Sequence, residues 1–167
     1  FKKVKAIVQG GKERYNSVYE GLKAAKGADY VLIHDGARPL VDKEIIVRSM
    51  NTVEKEKACV AGMPVKDTIK VSDESGYSAN TPDRKSLWQI QTPQCFEYNL
   101  LARSFDKLFS DMSYGKSVPA ITDDAMIVEY GSDTKVKLIE GSYENIKVTT
   151  PEDMGIAELF LKKRRKM

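Results

Sequence analysis

Short β-branched runs alternate along this chain with stretches whose apolar residues recur at helical spacing. That alternation marks βαβ units, so the pattern predicts an α/β fold with a Rossmann-like, mainly parallel sheet. Residues 4–8, 30–34 and 58–63 read as successive strands. Between them, Ser17 and Glu20 have capping-box spacing at the start of a helix with Val18, Leu22 and Ala25 on one face, which Gly27 ends. Asp42 caps a second helix whose inner face carries Ile45, Ile46, Ser49, Met50 and Val53.

Between Pro64 and Thr92 the pattern changes. Residues 68–71 and 77–80 flank Asp73-Glu74-Ser75-Gly76, which reads as a projecting two-stranded ribbon. Further on, residues 87–91 read as a short strand and 97–109 as a helix. A shorter helix is expected over 122–130, stopped by Gly131, with strands at 136–139 and 146–148. Thr150, Pro151 and Asp153 open a final helix as cap, first residue and first-turn acid.

A chain of 167 residues, 41% apolar and 31% charged, suits one domain with a packed core. No run of 18 apolar residues and no secretory leader is seen, so no membrane partner and a cytoplasmic location are expected. The net charge is +3, and the cluster Lys162, Lys163, Arg164, Arg165 and Lys166 more than accounts for it. The body is therefore mildly acidic, which argues against a nucleic-acid partner. Cys59, Cys95 and the single histidine, His34, offer neither metal-ligand spacing nor a disulfide framework.

Ligands of open α/β sheets bind at the carboxyl ends of the strands. There Asp35 and Arg38 share one tight loop. The carboxylate can hold a hard cation such as Mg²⁺ and the guanidinium can fork onto phosphate, or the two can pair with each other. Gly10-Gly11 can bring backbone N–H groups to an anion near Ser17, or can serve only as a turn before a cap. Lys147 is either a point charge near a transferring phosphate or a surface lysine. Asp123, Asp124 and Glu129 read as acids of a helix start rather than a metal cluster. Arg84, Thr68 and Thr92 lie on or beside the ribbon, so any catalytic role implies a second subunit. Neither a dinucleotide fingerprint nor a Walker loop occurs.

Taken in order, the stretches GGKERYNSV, LIHDGARPLV, MPVKDTIK, LWQIQTPQCF, ITDDAMIVEYG and EGSYENIKVTTPEDM resemble the 2-C-methyl-D-erythritol 4-phosphate cytidylyltransferase family over nearly the whole chain. The resemblance implies a fold of the nucleotidyltransferase type and transfer of CMP from CTP to methylerythritol phosphate, with Mg²⁺, in non-mevalonate isoprenoid biosynthesis. It implies that Gly11, Lys12, Ser17 and Gly36 line a nucleotide pocket, with Asp35 on the metal side. Arg38, Thr68, Arg84, Thr92 and Lys147 would contact methylerythritol phosphate, with Lys147, Asp35 and Arg84 catalytic. A homodimer would form through the ribbon, residues 64–92.

Two features depart from the family. Many members carry an acid where Lys12 stands. The family's glycine-rich loop has no match, and Phe1 leads almost directly into an apolar run, so residues 1–167 read as a single, N-terminally incomplete cytidylyltransferase domain. The expected missing part is roughly two βα units of about 30 residues each. Ribitol 5-phosphate cytidylyltransferase, or a catalytically silent dimerisation or ligand-binding module, are the competing readings.

Overall fold

The computed structural model describes residues 2–165; Phe1 and the Lys166 of the basic cluster lie outside the described residues. The elements run α1 (Arg14–Ala24), β1 (Tyr30–Ile33), α2 (Lys43–Glu56), β2 (Ala58–Pro64), β3 (Val71–Ser72) and β4 (Ser78–Asn80). After a 3₁₀ turn at Arg84–Ser86 come β5 (Trp88–Glu97), α3 (Tyr98–Ser113), α4 (Asp124–Gly131), β6 (Lys137–Glu140) and α5 (Pro151–Arg164). Strands order as β1-β5-β2-β6 in the main sheet, and β3 pairs β4 in a separate ribbon. β5 is antiparallel to both β1 and β2, and β6 is parallel to β2. Three of the four strands thus share one direction, and β5 runs against them.

The sheet is covered on both faces, which explains why β2 is buried along its length up to Pro64 rather than alternating. Ala58, Val60 and Phe96 point into a core with α1, α3 and α4, where Leu101, Phe105, Leu108, Ile127 and Val128 are fully buried. Cys59, Ala61 and Cys95 face the other way, against Ile45 and Val53 of α2. Burying Phe96 and Phe105 stabilises the fold by roughly 1.5 to 3 kcal/mol each. Tyr19 adds an aromatic contact between α1 and α3, with its ring 5.1 Å from Phe105 and 4.9 Å from Phe109.

Local signals set several ends as expected. Asp42 accepts from the N–H of Ile45 at 2.8 Å and caps α2. Thr150 and Asp153 form a reciprocal capping box at α5, with Pro151 in the first turn. The ribbon projects, and every residue of β3 and β4 is exposed.

Other expectations are corrected. Residues 4–8 form no strand: Val4, Ile7 and Val8 are exposed, Ile7 by 94%. An apolar run becomes a strand only beside a partner for its backbone groups, and no described strand lies alongside this one. α1 begins three residues before Ser17, with Glu13 as cap and Asn16 completing its box. Glu20 pairs instead with Lys23. On α2, Ile46 and Met50 are exposed while Ile45, Ser49 and Val53 are buried. Residues 146–148 form no strand and make a single backbone bond, Val148 N–H to the Ala37 carbonyl at 2.8 Å.

The strand expected at 87–91 continues to Glu97. Pro93 hides this in the sequence, because proline cannot donate to a ladder and sits in strands mainly at edges or bulges. Here the partners jump from Val60↔Gln94 to Gly62↔Ile90, so two steps along β2 oppose four along β5. The bulge at Gln91–Pro93, which includes a cis Thr92–Pro93 bond, takes these residues out of register with β2. Among the described residues, no helix is long and apolar enough to cross a membrane.

Candidate active site

The bulge opens onto a hollow of about 290 Å³ lined by Arg14, Asp35, Arg38, Thr92, Asp123 and Lys147, with Ile90, Gln91, Gln94 and Thr122. A larger hollow, about 390 Å³ between α1 and β1, is lined by Val18, Leu22, Ala25, Val31 and Ile33 among others and carries no charged side chain. Of the two, the smaller carries the charged side chains that an anion would need.

Its geometry starts where β1 ends. The chain turns from His34 to Arg38, closed by Arg38 N–H to the Asp35 carbonyl at 3.0 Å. His34 Nε2 lies 2.9 Å from the Arg38 carbonyl, which only accepts, so Nε2 carries the proton. His34 Nδ1 then accepts from the Thr92 hydroxyl at 2.9 Å, and that oxygen accepts the N–H of Asp35 at 3.1 Å. The backbone beneath Asp35 is thereby fastened to the β5 bulge.

Three cations from three parts of the chain converge on the Asp35 carboxylate. Arg14 Nη2 lies at 3.3 Å, Lys147 Nζ at 3.2 Å and Arg38 Nε at 3.6 Å. Burial pushes the Asp35 carboxyl up, but the hydrogen bond and charge of Lys147, with the charge of Arg14, more than offset this and hold it below its ordinary value. The cations differ in freedom. Arg38 is largely buried and donates to the carbonyls of Asn145 at 2.8 Å and Ile90 at 3.4 Å. Burial pulls its guanidinium below the usual range, and Asp35 opposes that pull. Lys147 is 44% exposed and uses one of its three donors on Asp35, so it can still reach a ligand.

Arg14 lines the hollow too, at a position that sequence analysis did not single out. A signal was available: a cation in the first turn of a helix opposes the helix dipole and calls for a specific acidic partner. That partner is Asp124, fully buried, which takes both terminal nitrogens at 2.8 Å. The hydrogen bond to Asp124 raises the Arg14 guanidinium, while burial raises the Asp124 carboxyl against the pull of Arg14. Asp123 caps α4 through the N–H of Met126 at 3.0 Å. The helix-start reading of these acids therefore holds for Asp123, Asp124 has an added pairing role, and Glu129 does not line the hollow.

The other sequence candidates fall outside this lining. Gly11 donates its N–H to Ser17 Oγ at 3.1 Å, folding the glycine loop back on the first turn of α1. A Cβ on Gly11 would stand 2.3 Å from Asn16 Cβ, so this close approach requires glycine. Ser17 is thus not a cap but an acceptor for the loop. Lys12 and Gly36 are exposed, Gly36 beside Asp35. Thr68 and Arg84 lie on the ribbon side, exposed, with Arg84 Nη1 donating to the Lys66 carbonyl at 2.9 Å.

Among the described residues, no three His, Cys, Asp or Glu side chains form a metal cluster. Asp123 spends its carboxylate on Met126 N–H and on Gln94 Nε2 at 3.0 Å. Asp35 is thus the one lining carboxylate not bound to backbone or amide. Mg²⁺ is commonly held by one or two carboxylates together with substrate phosphates and water. The donor set fits a cation whose remaining ligands come from a polyphosphate.

Comparison with known proteins bears on this arrangement. Residues 2–163 match the family model described as 2-C-methyl-D-erythritol 4-phosphate cytidylyltransferase. A protein of that name from Lachnospira eligens is 49% identical over 162 residues, covering 97% of this chain and 70% of the relative. One from Alkaliphilus oremlandii is 50% identical, covering 99% of this chain and 67% of the relative. The crystal structure of 4-diphosphocytidyl-2C-methyl-D-erythritol synthase from Anaerococcus prevotii superposes with a TM-score of 0.83 at 37% identity, covering 93% of this chain and 66% of that one. The chain therefore spans about two thirds of the length of these proteins.

Proposed function

Because this chain belongs to the 2-C-methyl-D-erythritol 4-phosphate cytidylyltransferase family, whose members are nucleotidyltransferases of isoprenoid biosynthesis, we propose that its cation-ringed hollow serves the transfer of CMP from CTP to methylerythritol phosphate. The observation that carries this reading is the convergence of Arg14, Arg38 and Lys147 on Asp35 from three distant stretches of chain.

In the proposed reaction a phosphate oxygen of methylerythritol phosphate attacks the α-phosphorus of CTP in line. The bond from that phosphorus to the pyrophosphate oxygen breaks, and pyrophosphate leaves. The protein needs to position two anions and neutralise the charge that builds between them. Lys147, with two free donors, is suited to the transferring phosphoryl group. Arg38 is suited to shaping the wall, since its terminal nitrogens hold backbone carbonyls, and the exposed loop at Gly36 is open to a nucleotide. Asp35 would hold Mg²⁺ together with phosphate oxygens, and the ion would supply neutralisation of the triphosphate.

Thr68 and Arg84 stand away from the hollow in one copy, and the ribbon carries exposed Ile69, Val71 and Tyr77. This supports a homodimer in which the ribbon segment ahead of β5 reaches the partner's site; residues 88–92, expected in that arm, instead belong to β5, and Thr92 serves the hollow of its own chain.

The test is pyrophosphate release from CTP. Release is expected to require methylerythritol phosphate and to fall about 100-fold in Lys147→Ala, the scale of losing one donor to a developing anion. Equal release with ribitol 5-phosphate would move the assignment to that substrate, and failure to bind CTP at all would overturn it.

A further inference from the structure

Two glutamines flank Thr92–Pro93 in the middle of the sheet, and both are buried: Gln91 is 8% exposed and Gln94 2%. A buried amide is tolerated only if its polar atoms find partners, and here the partners belong to the two walls of the hollow. Gln94 Oε1 accepts the N–H groups of Asp124 and Ala125, both at 3.0 Å, and its Nε2 donates to Asp123 at 3.0 Å. Gln91 Nε2 donates to the Ser142 carbonyl at 2.8 Å, while its Oε1 accepts from Ser142 N–H and Asn145 Nδ2, both at 3.3 Å. Gly141 makes room for this amide: a Cβ there would stand 2.4 Å from Gln91 Oε1.

Each glutamine thus leads to a different cation. From Gln94 the connection runs through the first turn of α4 to Asp124 and on to Arg14. From Gln91 it runs through residues 142–145 to Lys147 two positions on, and Asn145 also donates to the Thr92 carbonyl at 2.8 Å. The chemistry of the side chain is specific. An apolar residue at 94 would leave the α4 N–H groups without an acceptor, and a glutamate would set a carboxylate against Asp123. An amide alone accepts from the helix and donates to the acid.

We propose that Gln91 and Gln94 are positioning residues that place the two cationic walls by separate hydrogen-bond routes, Gln94 setting Arg14 and Gln91 setting Lys147 for a polyphosphate ligand, the walls meeting at the Asp35 carboxylate. This rests on the reading of the hollow as an anion site.

Double-mutant cycles with inorganic pyrophosphate as probe, read by calorimetry on the whole chain, test it. Gln94→Ala should weaken binding about tenfold, as loss of a hydrogen bond supporting a charged group does. In an Arg14→Ala background it should add nothing, whereas in a Lys147→Ala background its effect should multiply. Gln91→Ala should show the mirror pattern. Effects that multiply in both backgrounds, as a general structural role would give, overturn the proposal.

A second readout needs no ligand and no activity. NMR of the Arg14 Nε–H and Lys147 Nζ groups should show Gln94→Ala shifting the first more than the second and Gln91→Ala the reverse. Both variants shifting both signals equally, or neither shifting any, refutes the separate routes even if cytidylyl transfer is established. Should an alanine variant not fold, Gln→Met at the same position keeps the length of the side chain and faces the same two outcomes.

Discussion

Around Asp35, buried amides and carbonyls hold the charged groups in place, whereas the ribbon of β3 and β4 stands in solvent and is held by its own turn. In the hollow, Arg38 is tied to two carbonyls, Arg14 to a buried carboxylate and Thr92 to His34 and the Asp35 N–H. In the ribbon, the Asp73 carboxylate accepts the N–H groups of Ser75 and Tyr77, and Lys70 reaches Thr81. A two-stranded hairpin alone is marginal in water. The geometry of the hollow is thus a property of the fold, while that of the ribbon is left to whatever it meets.

The comparison can be broken most forcefully at Arg14. Arg14→Ala leaves Asp124 buried without its cation and should cost about 3 kcal/mol in urea unfolding at neutral pH. Burial already raises the Asp124 carboxyl, so in this variant the folded state favours the protonated acid. The deficit should grow as pH rises above the ordinary carboxylate range and shrink as pH falls. A pH-independent deficit below 0.5 kcal/mol, on the scale of an ordinary surface substitution, would show that the pair does not hold the wall.

Asn145→Ala comes next, at about 2 kcal/mol, because it strands the buried Thr92 carbonyl and removes a donor from Gln91. Thermal unfolding monitored by circular dichroism reads it, and an unchanged midpoint would detach the residue 142–145 loop from the site.

An intermediate case lies at the end of α3, where Lys116, Lys107 and the Tyr130 hydroxyl hold the Asp111 carboxyl well below its ordinary range. A depressed carboxyl contributes stability above its unfolded value and loses it as pH falls through the folded one. Asp111→Asn should therefore be less stable than the parent at neutral pH, with the gap closing in acid. A gap that widens in acid would contradict the assignment.

Smallest of all, Tyr77→Ser on the ribbon should change monomer stability by less than about 0.5 kcal/mol. In sedimentation, the same change should weaken the proposed dimer. A large loss of monomer stability would show the ribbon to be part of the folded core.

Much of this contrast was legible in the sequence because its signals are local. Asp42 and Thr150-Pro151 announce helix starts through groups within a turn of each other, and Asp73 to Gly76 announces the ribbon's tip. Asp35, Arg38 and Lys147 could each be picked out from position and family likeness, and they do line one hollow; Thr92, expected beside the ribbon and in a partner's site, lines the same hollow from β5 of its own chain. What the sequence hid depends on distant partners. Residues 4–8 have strand composition but no described neighbour to pair with. Arg14 has meaning only beside Asp124, 110 positions away. The two glutamines look like polar interruptions of a strand until the bulge turns their amides toward two separate walls.

The ribbon's tip has a practical consequence. Its turn is closed within five residues, Asp73 N–H reaching the Tyr77 carbonyl at 2.8 Å and Gly76 taking a positive φ of 84°. Glu74, exposed in that turn, is therefore a place to attach a fluorophore without disturbing the main sheet. Energy transfer between differently labelled molecules would then report when two of them meet.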